Sequence, residues 1–217
     1  VKGTVVYTTN FTPPTTPLTN ITNTKLLCFQ SPIDKTLLTV ASGFSINNHS
    51  GTAGAYAPSG LTGGIDFPGS QGAGLNSNGM RLTRAKTDFD SDYTIEFWFN
   101  MDSLTSVGSN YGAVLFDGRP VSGNADNTLG SIYLYNTTGA NNSFAVRYHA
   151  GGTDRIGSAV IFSVGTWYHL ALVRRDGVVK LYVNGTQHGA SYSHSTAMVN
   201  QTAVSYTHLR AHETEAD

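Results

Sequence analysis

A chain of 217 residues with a net charge of -1 and only 12% charged side chains is large enough for one domain with a sizeable core. It has no excess of Lys and Arg that would hold nucleic acid or an anionic membrane surface. No apolar run approaches the roughly 18 residues of a membrane-spanning helix, and the single Cys28 can close no internal disulfide and build no zinc site, so it reads as a small buried hydrophobe within LLCF.

Gly, Asn, Ser and Thr are abundant and Lys and Glu scarce, a composition that disfavours helices and suits twisted strands joined by tight turns. In chain order, residues 1–10 hold GTVVYT, whose β-branched and aromatic residues alternate as in a strand. Residues 11–23 carry three prolines and no periodicity, which predicts an extended linker. The strand of residues 1–10 is expected to pair, through Val5 and Tyr7, with a strand from residues 24–204.

From residue 24 onward short apolar runs recur between turn signals, the spacing of an all-β sandwich or barrel. In YTIEFWFN, period-two alternation predicts that Tyr93, Ile95, Phe97 and Phe99 face the core, with Thr94, Glu96, Trp98 and Asn100 opposite. In WYHLALVRRDGVVKLYVNG, the pairs Asp176-Gly177 and Asn184-Gly185 predict two type I′ hairpin turns and three antiparallel strands, at about 167–174, 178–183 and 186–190. Val179, Leu181 and Val183 should then point inward. Residues 205–217 show no alternation and concentrate charge, which predicts a disordered tail. Their wording is also similar to the adapter-derived ends that recur in unrelated environmental assemblies, which implies a tail foreign to the domain.

TGGIDFPGSQGAGL, YTIEFWFN and the long hairpin stretch together resemble laminin G-like domains of the concanavalin A-like lectin/glucanase superfamily. The second half carries the more specific match, at Trp167, His169, Arg174, Leu181, Tyr182, Val183, Asn184 and Gly185. The resemblance implies an all-β, antiparallel β-sandwich of jelly-roll type over residues 24–204, shortened at its C-terminal end because further strands usually follow the hairpin. The leader NFTPPTTPLTNITNTKLL is similar to joints between tandem domains of phage tail and marine microbial surface proteins, which makes residues 1–10 the last strand of a preceding repeat.

Catalytic signatures are sparse. A glycosidase of this superfamily needs two carboxylates flanking the scissile bond, and Glu96 is the one glutamate outside the tail; as a lone strand glutamate it reads as a partner for a cross-strand cation. His169 reads as a satisfied structural histidine, and the role of His149 stays open. A sugar site would use aromatic rings for stacking and Asn, Asp and Arg for the hydroxyls; Tyr111, Asp117, Asn127, Tyr148 and Arg155 lie in or beside rim loops and are the candidates. In the 117–130 loop Asp117, Asp126 and Asn127 offer oxygen ligands of the kind calcium takes. The resemblance, to domains that often carry calcium on the rim, points the same way, although the spacing fits no dedicated calcium loop and turn-forming Asx residues explain it equally.

The expected function is a non-catalytic binding or spacer module in a larger phage tail or microbial surface protein. On the virion tail or the extracellular surface, it would contact glycan or a surface protein by its loop rim, beside adjoining repeats of the same polypeptide. The alternatives are a glycoside hydrolase, which would require carboxylates such as Asp117 and Asp154 to converge, and a purely structural spacer.

Overall fold

The computed structural model describes residues 5–15, 21–22, 24, 92–100, 130–136, 144–158 and 160–194, together with short strands elsewhere. The strands are β1 (Leu26–Leu27), β2 (Thr39–Val40), β3 (Phe44–Ser45), β4 (Thr52–Gly54), β5 (Gly64–Asp66), β6 (Arg81–Arg84), β7 (Tyr93–Phe99) and β8 (Tyr111–Asp117). They continue with β9 (Ser131–Asn136), β10 (Phe144–Ala150), β11 (Thr153–Gly157), β12 (Tyr168–Arg175), β13 (Val178–Val183), β14 (Thr186–Ser193) and β15 (Val204–Thr207). Every regular element among the described residues is a strand, and all pairings are antiparallel.

The smaller main sheet has the order β14-β13-β12-β7. Its two hairpins turn where the sequence predicts, with Asp176 and Gly177 at φ 49° and 76° and Asn184 and Gly185 at φ 48° and 78°; positive φ at both central positions matches the twist of the flanking strands. The larger sheet has the order β11-β10-β9-β8-β15-β6-β3. The two pack face to face over one apolar cluster that includes Tyr93, Ile95, Phe99, Leu170, Leu172, Val179, Leu181 and Val183 from the smaller sheet. Phe116, Ile132, Leu134, Phe144, Val146, Tyr148 and Ile156 meet them from the larger one, and Phe97 packs at the margin. The inward faces of β7 and β13 are those the alternation predicts. Each such side chain, fully buried, contributes roughly 1.5–3 kcal/mol.

Two expectations for the ends of the chain are corrected. Residues 205–207 do not lie outside the domain: Val204–Thr207 is a strand inserted between β8 and β6, pairing Tyr206 with Leu82 and Ser205 with both Thr83 and Asp117. VSYT is itself made of strand-compatible residues, and the charges that mark the tail begin only after it.

Residues 5–10, for their part, form no strand. They cross the outer face of the smaller sheet as a strap, and with Phe11 they shield a second apolar cluster in which Val5, Tyr7 and Phe11 pack on Ala171, Val173 and Tyr182. Side chains tie the strap to this face. Val6 N donates to Thr94 Oγ1 (3.1 Å), Gln187 N to Asn10 Oδ1 (2.9 Å) and Tyr7 Oη to Glu96 Oε2 (2.6 Å). One backbone bond joins Phe11 N to Gly185 O at 2.9 Å. A Cβ at Gly185 would overlap the Phe11 carbonyl oxygen, so glycine is required there both for its positive φ and for the strap's approach. Phe11 therefore belongs to the packed structure, although the prolines that follow predict a linker from residue 11.

Beside this apolar cluster the strap also covers polar groups. His169 is fully buried, with Nε2 at 3.3 Å from Glu96 Oε2, and Trp98 and Phe11 meet its ring edge-on at centroid distances of 5.1 and 5.7 Å. Glu96 thus faces an imidazole rather than a lysine or arginine. The imidazole is less satisfied than the sequence implies: among the described residues neither ring nitrogen makes an aligned hydrogen bond, and Trp98 Nε1 and Tyr182 Oη also have none. Burial raises the Tyr7 phenol above its ordinary pKa, and its bond to the Glu96 carboxylate raises it further.

Candidate functional site

The opposite outer face, on β9, β10 and β11, is built differently. Ile132 and Leu134 of β9 and Val146, Tyr148 and Ala150 of β10 point into the core, so strand alternation assigns Tyr133, Tyr135, Arg147 and His149 to the outside. Register brings them together: Tyr133 stands opposite Arg147, Ser131 opposite His149 and Tyr135 opposite Ala145. On the next strand Gly157 lies opposite Arg147 and Asp154 opposite His149. The ladder shifts between Tyr148 and His149, pairing Tyr148 with Ile156 and His149 with Asp154, the two-against-one pattern of a bulge at Arg155.

At one end of this patch a carboxylate organises two rings. Asp154 Oδ1 accepts from Tyr133 Oη at 2.5 Å and lies 2.9 Å from His149 Nδ1. An ionised carboxylate can only accept, so Nδ1 is the donor of this pair, which in the neutral tautomer leaves Nε2 as an acceptor. The His149 and Asp154 side chains keep 16% and 35% of their surface accessible, so a ligand can reach them.

The other end is cationic. Arg147 Cζ lies 4.9 Å from the centre of the half-buried Tyr135 ring, within the range of an attractive cation–π contact. The guanidinium also extends across β11 over Gly157, where a Cβ would stand 2.5 Å from Nη1, so glycine leaves room for the arginine in this position. Arg147 Nε is shielded from solvent and has no hydrogen-bond partner among the described residues.

The residues expected to bind sugar fare unequally. Tyr148 is corrected: its side chain is fully buried, because it shares the inward phase of β10 with Phe144 and Val146, deep enough that burial raises its phenol pKa, as it does that of Tyr93. Arg155 sits at the sheet edge, where Nε donates to Ala150 O at 2.9 Å and the guanidinium lies over the Tyr192 ring of β14. Tyr111 and Asp117 occupy ladder positions opposite Tyr135 and Ser131, but their side chains lie outside the described residues. Asp126 and Asn127 lie outside them altogether. Tyr133, Tyr135 and Arg147 are absent from the expected set. A signal for them exists, since the apolar phases 132/134 and 144/146/148 leave 133/135 and 147/149 for the other surface. Among the described residues there is no cluster of three or more metal-ligating side chains, and no helix long and apolar enough to cross a membrane.

The sequence pattern of the family Laminin_G_3, described as the concanavalin A-like lectin/glucanases superfamily, matches residues 74–212. The chain belongs to this family. Its antiparallel sandwich is the laminin G-like, jelly-roll architecture, and the match runs past residue 204 to take in β15. Over 115 residues the laminin G-like chain is 30% identical to the BEACH domain-containing protein lvsE of Dictyostelium discoideum, a stretch that covers 51% of this chain but only 5% of that protein. Domain 4 of AbnA, an extracellular arabinanase from Geobacillus stearothermophilus solved with arabinotriose, superposes with a TM-score of 0.47 at 15% identity, covering 87% of this chain and 85% of its own. The alginate lyase AlgAT5, from Polysaccharide Lyase family 7, gives 0.45 at 13% identity, with 84% and 81% covered.

Proposed function

We propose that this laminin G-like domain is a non-catalytic glycan-binding module, with its sugar site on the outer face of β9–β11. The observation that carries the reading is the half-buried Tyr135 ring sharing one face with Arg147, His149 and Asp154. A ring to lie against a pyranose, beside groups that donate to and accept from hydroxyls, is the chemistry that a sugar site requires.

A hydrolytic role fits the geometry poorly. Asp117 and Asp154 stand on one transverse row, Asp117-Ser131-His149-Asp154, so three strand spacings of roughly 4.8 Å separate their backbones. That is wider than the roughly 6.5–9.5 Å between the carboxyl groups of an inverting pair, and the Asp154 carboxylate is already held by Tyr133 and His149. Glu96 lies on the other sheet, beneath the strap.

The module is proposed to act outside the cell or on a virion tail, within a longer polypeptide of tandem domains, as the likeness of its leader to inter-domain joints suggests. Calcium on the 117–130 loop belongs to the same proposal: millimolar calcium should raise the melting temperature above that in chelator, and an unmoved transition removes the ion from the account. The binding reading is tested by a glycan array followed by calorimetry on the best ligand. Tyr135→Ala should weaken binding about tenfold, the equivalent of about 1.4 kcal/mol, with an unchanged unfolding midpoint. An array without signal, from protein shown to unfold cooperatively, would refute it.

A further inference from the structure

Resting on the glycan-binding reading, we infer that the ligand is an acidic glycan, whose oxyanion, a uronate carboxylate or a sulfate ester, is taken by Arg147. Arg147 is a half-buried guanidinium with no anionic partner among the described residues. Its Nε is shielded from solvent and has no acceptor among the described residues, so no described protein group compensates the charge that the half-buried side chain carries. Asp154, the carboxylate described on the same face, does not do so, because Tyr133 and His149 hold it.

Tyr135 lies against the guanidinium, and the missing Cβ of Gly157 gives it room over β11. An arginine fork fits the two oxygens of a carboxylate or sulfate, and such charge-assisted pairs are stronger than bonds to hydroxyls. The patch is therefore polarised along the strands. Its Arg147 end takes an oxyanion, while its Asp154–His149 end offers acceptors to sugar hydroxyls and disfavours a second negative charge. A sugar bearing one oxyanion and free hydroxyls satisfies both ends; a neutral sugar leaves the Arg147 charge uncompensated, and a densely charged polyanion meets Asp154.

The experiment titrates the whole chain, observed by NMR at the arginine Nε–H signals, with three probes: a galacturonate hexamer, a singly sulfated galactose oligomer and a neutral galactose hexamer. Arg147→Lys and Arg147→Gln accompany the wild type. An acidic probe should shift the Arg147 Nε–H signal and bind about tenfold or more tightly than the neutral hexamer. Arg147→Gln should erase that preference, so that acidic and neutral probes bind it alike, and Arg147→Lys should retain part of it. Preference for the hexuronate or for the sulfated oligomer identifies the oxyanion. Equal binding of acidic and neutral probes, unchanged in Arg147→Gln, overturns the acidic-ligand inference and leaves the glycan-binding reading standing. Binding of none of the three, together with a silent glycan array, overturns both.

Discussion

The two outer faces of this sandwich carry similar residue types and put them to opposite uses. On the smaller sheet Trp98, His169, Glu96 and Tyr182 lie beneath Tyr7 and Phe11, whose rings stack on each other at 3.5 Å, and several polar atoms are closed away without hydrogen-bond partners among the described residues. On the larger sheet, Tyr135, Arg147, His149 and Asp154 keep partial access to solvent. The difference lies in what covers each face. Where the chain itself supplies the cover, an aromatic and acidic strand surface becomes a second core; where it does not, the same chemistry is left for another molecule.

Substitutions can break or sharpen this contrast. Leu181→Asp should have the largest effect, since it places a charge in the core on which both sheets rest; no cooperative unfolding transition should be seen by circular dichroism, and both faces should be lost together. Ending the chain after residue 203 should cost several kcal/mol in denaturant titration, because it removes the strand between β8 and β6. Ending it after residue 207 should cost less than about 0.5 kcal/mol. A large effect of the second cut would bring the charged tail into the fold.

Gly185→Ala acts on the covered face alone. It strains the hairpin and drives a methyl into the Phe11 carbonyl, so the midpoint should fall by an amount equivalent to about 2–3 kcal/mol, while glycan affinity stays within about twofold. A loss of affinity in this variant would show that the two faces are coupled. Tyr7→Phe should have the smallest effect, about 1 kcal/mol, from removal of one part-buried hydrogen bond to a carboxylate. Stability identical to the wild type would mean that the strap is held by packing alone.

Much of the smaller sheet was legible in the sequence. Two Asx-Gly turns set its register, and the period-two runs in β7 and β13 have one wholly apolar face, so only one phase could be buried. The larger sheet was harder, because both faces of SIYLYN and FAVRYHA carry bulky residues; Tyr148 looks as suitable for a ligand as Tyr133 until the partner strands are known. The grouping of residues 133, 147 and 154 depends on ladder pairing, which no local pattern contains. The strap escaped notice for a related reason. Its side chains bind a sheet face across more than 80 residues of sequence, whereas its composition, alternating and then rich in proline, describes only a strand and a linker.

The position of β15 has a consequence for how the molecule assembles. β9, β10 and β11 are joined to one another by short connections and can form as a local meander, but Val204 must find Arg84, a pairing across most of the domain. Contacts of such sequence separation close slowly. Until residues 204–207 arrive, β8 and β6 each present a bare edge to the surroundings, and those edges are templates for a strand from any neighbouring chain. The moment of greatest exposure to misassembly therefore falls late, when an interior strand of the larger sheet is the last piece missing.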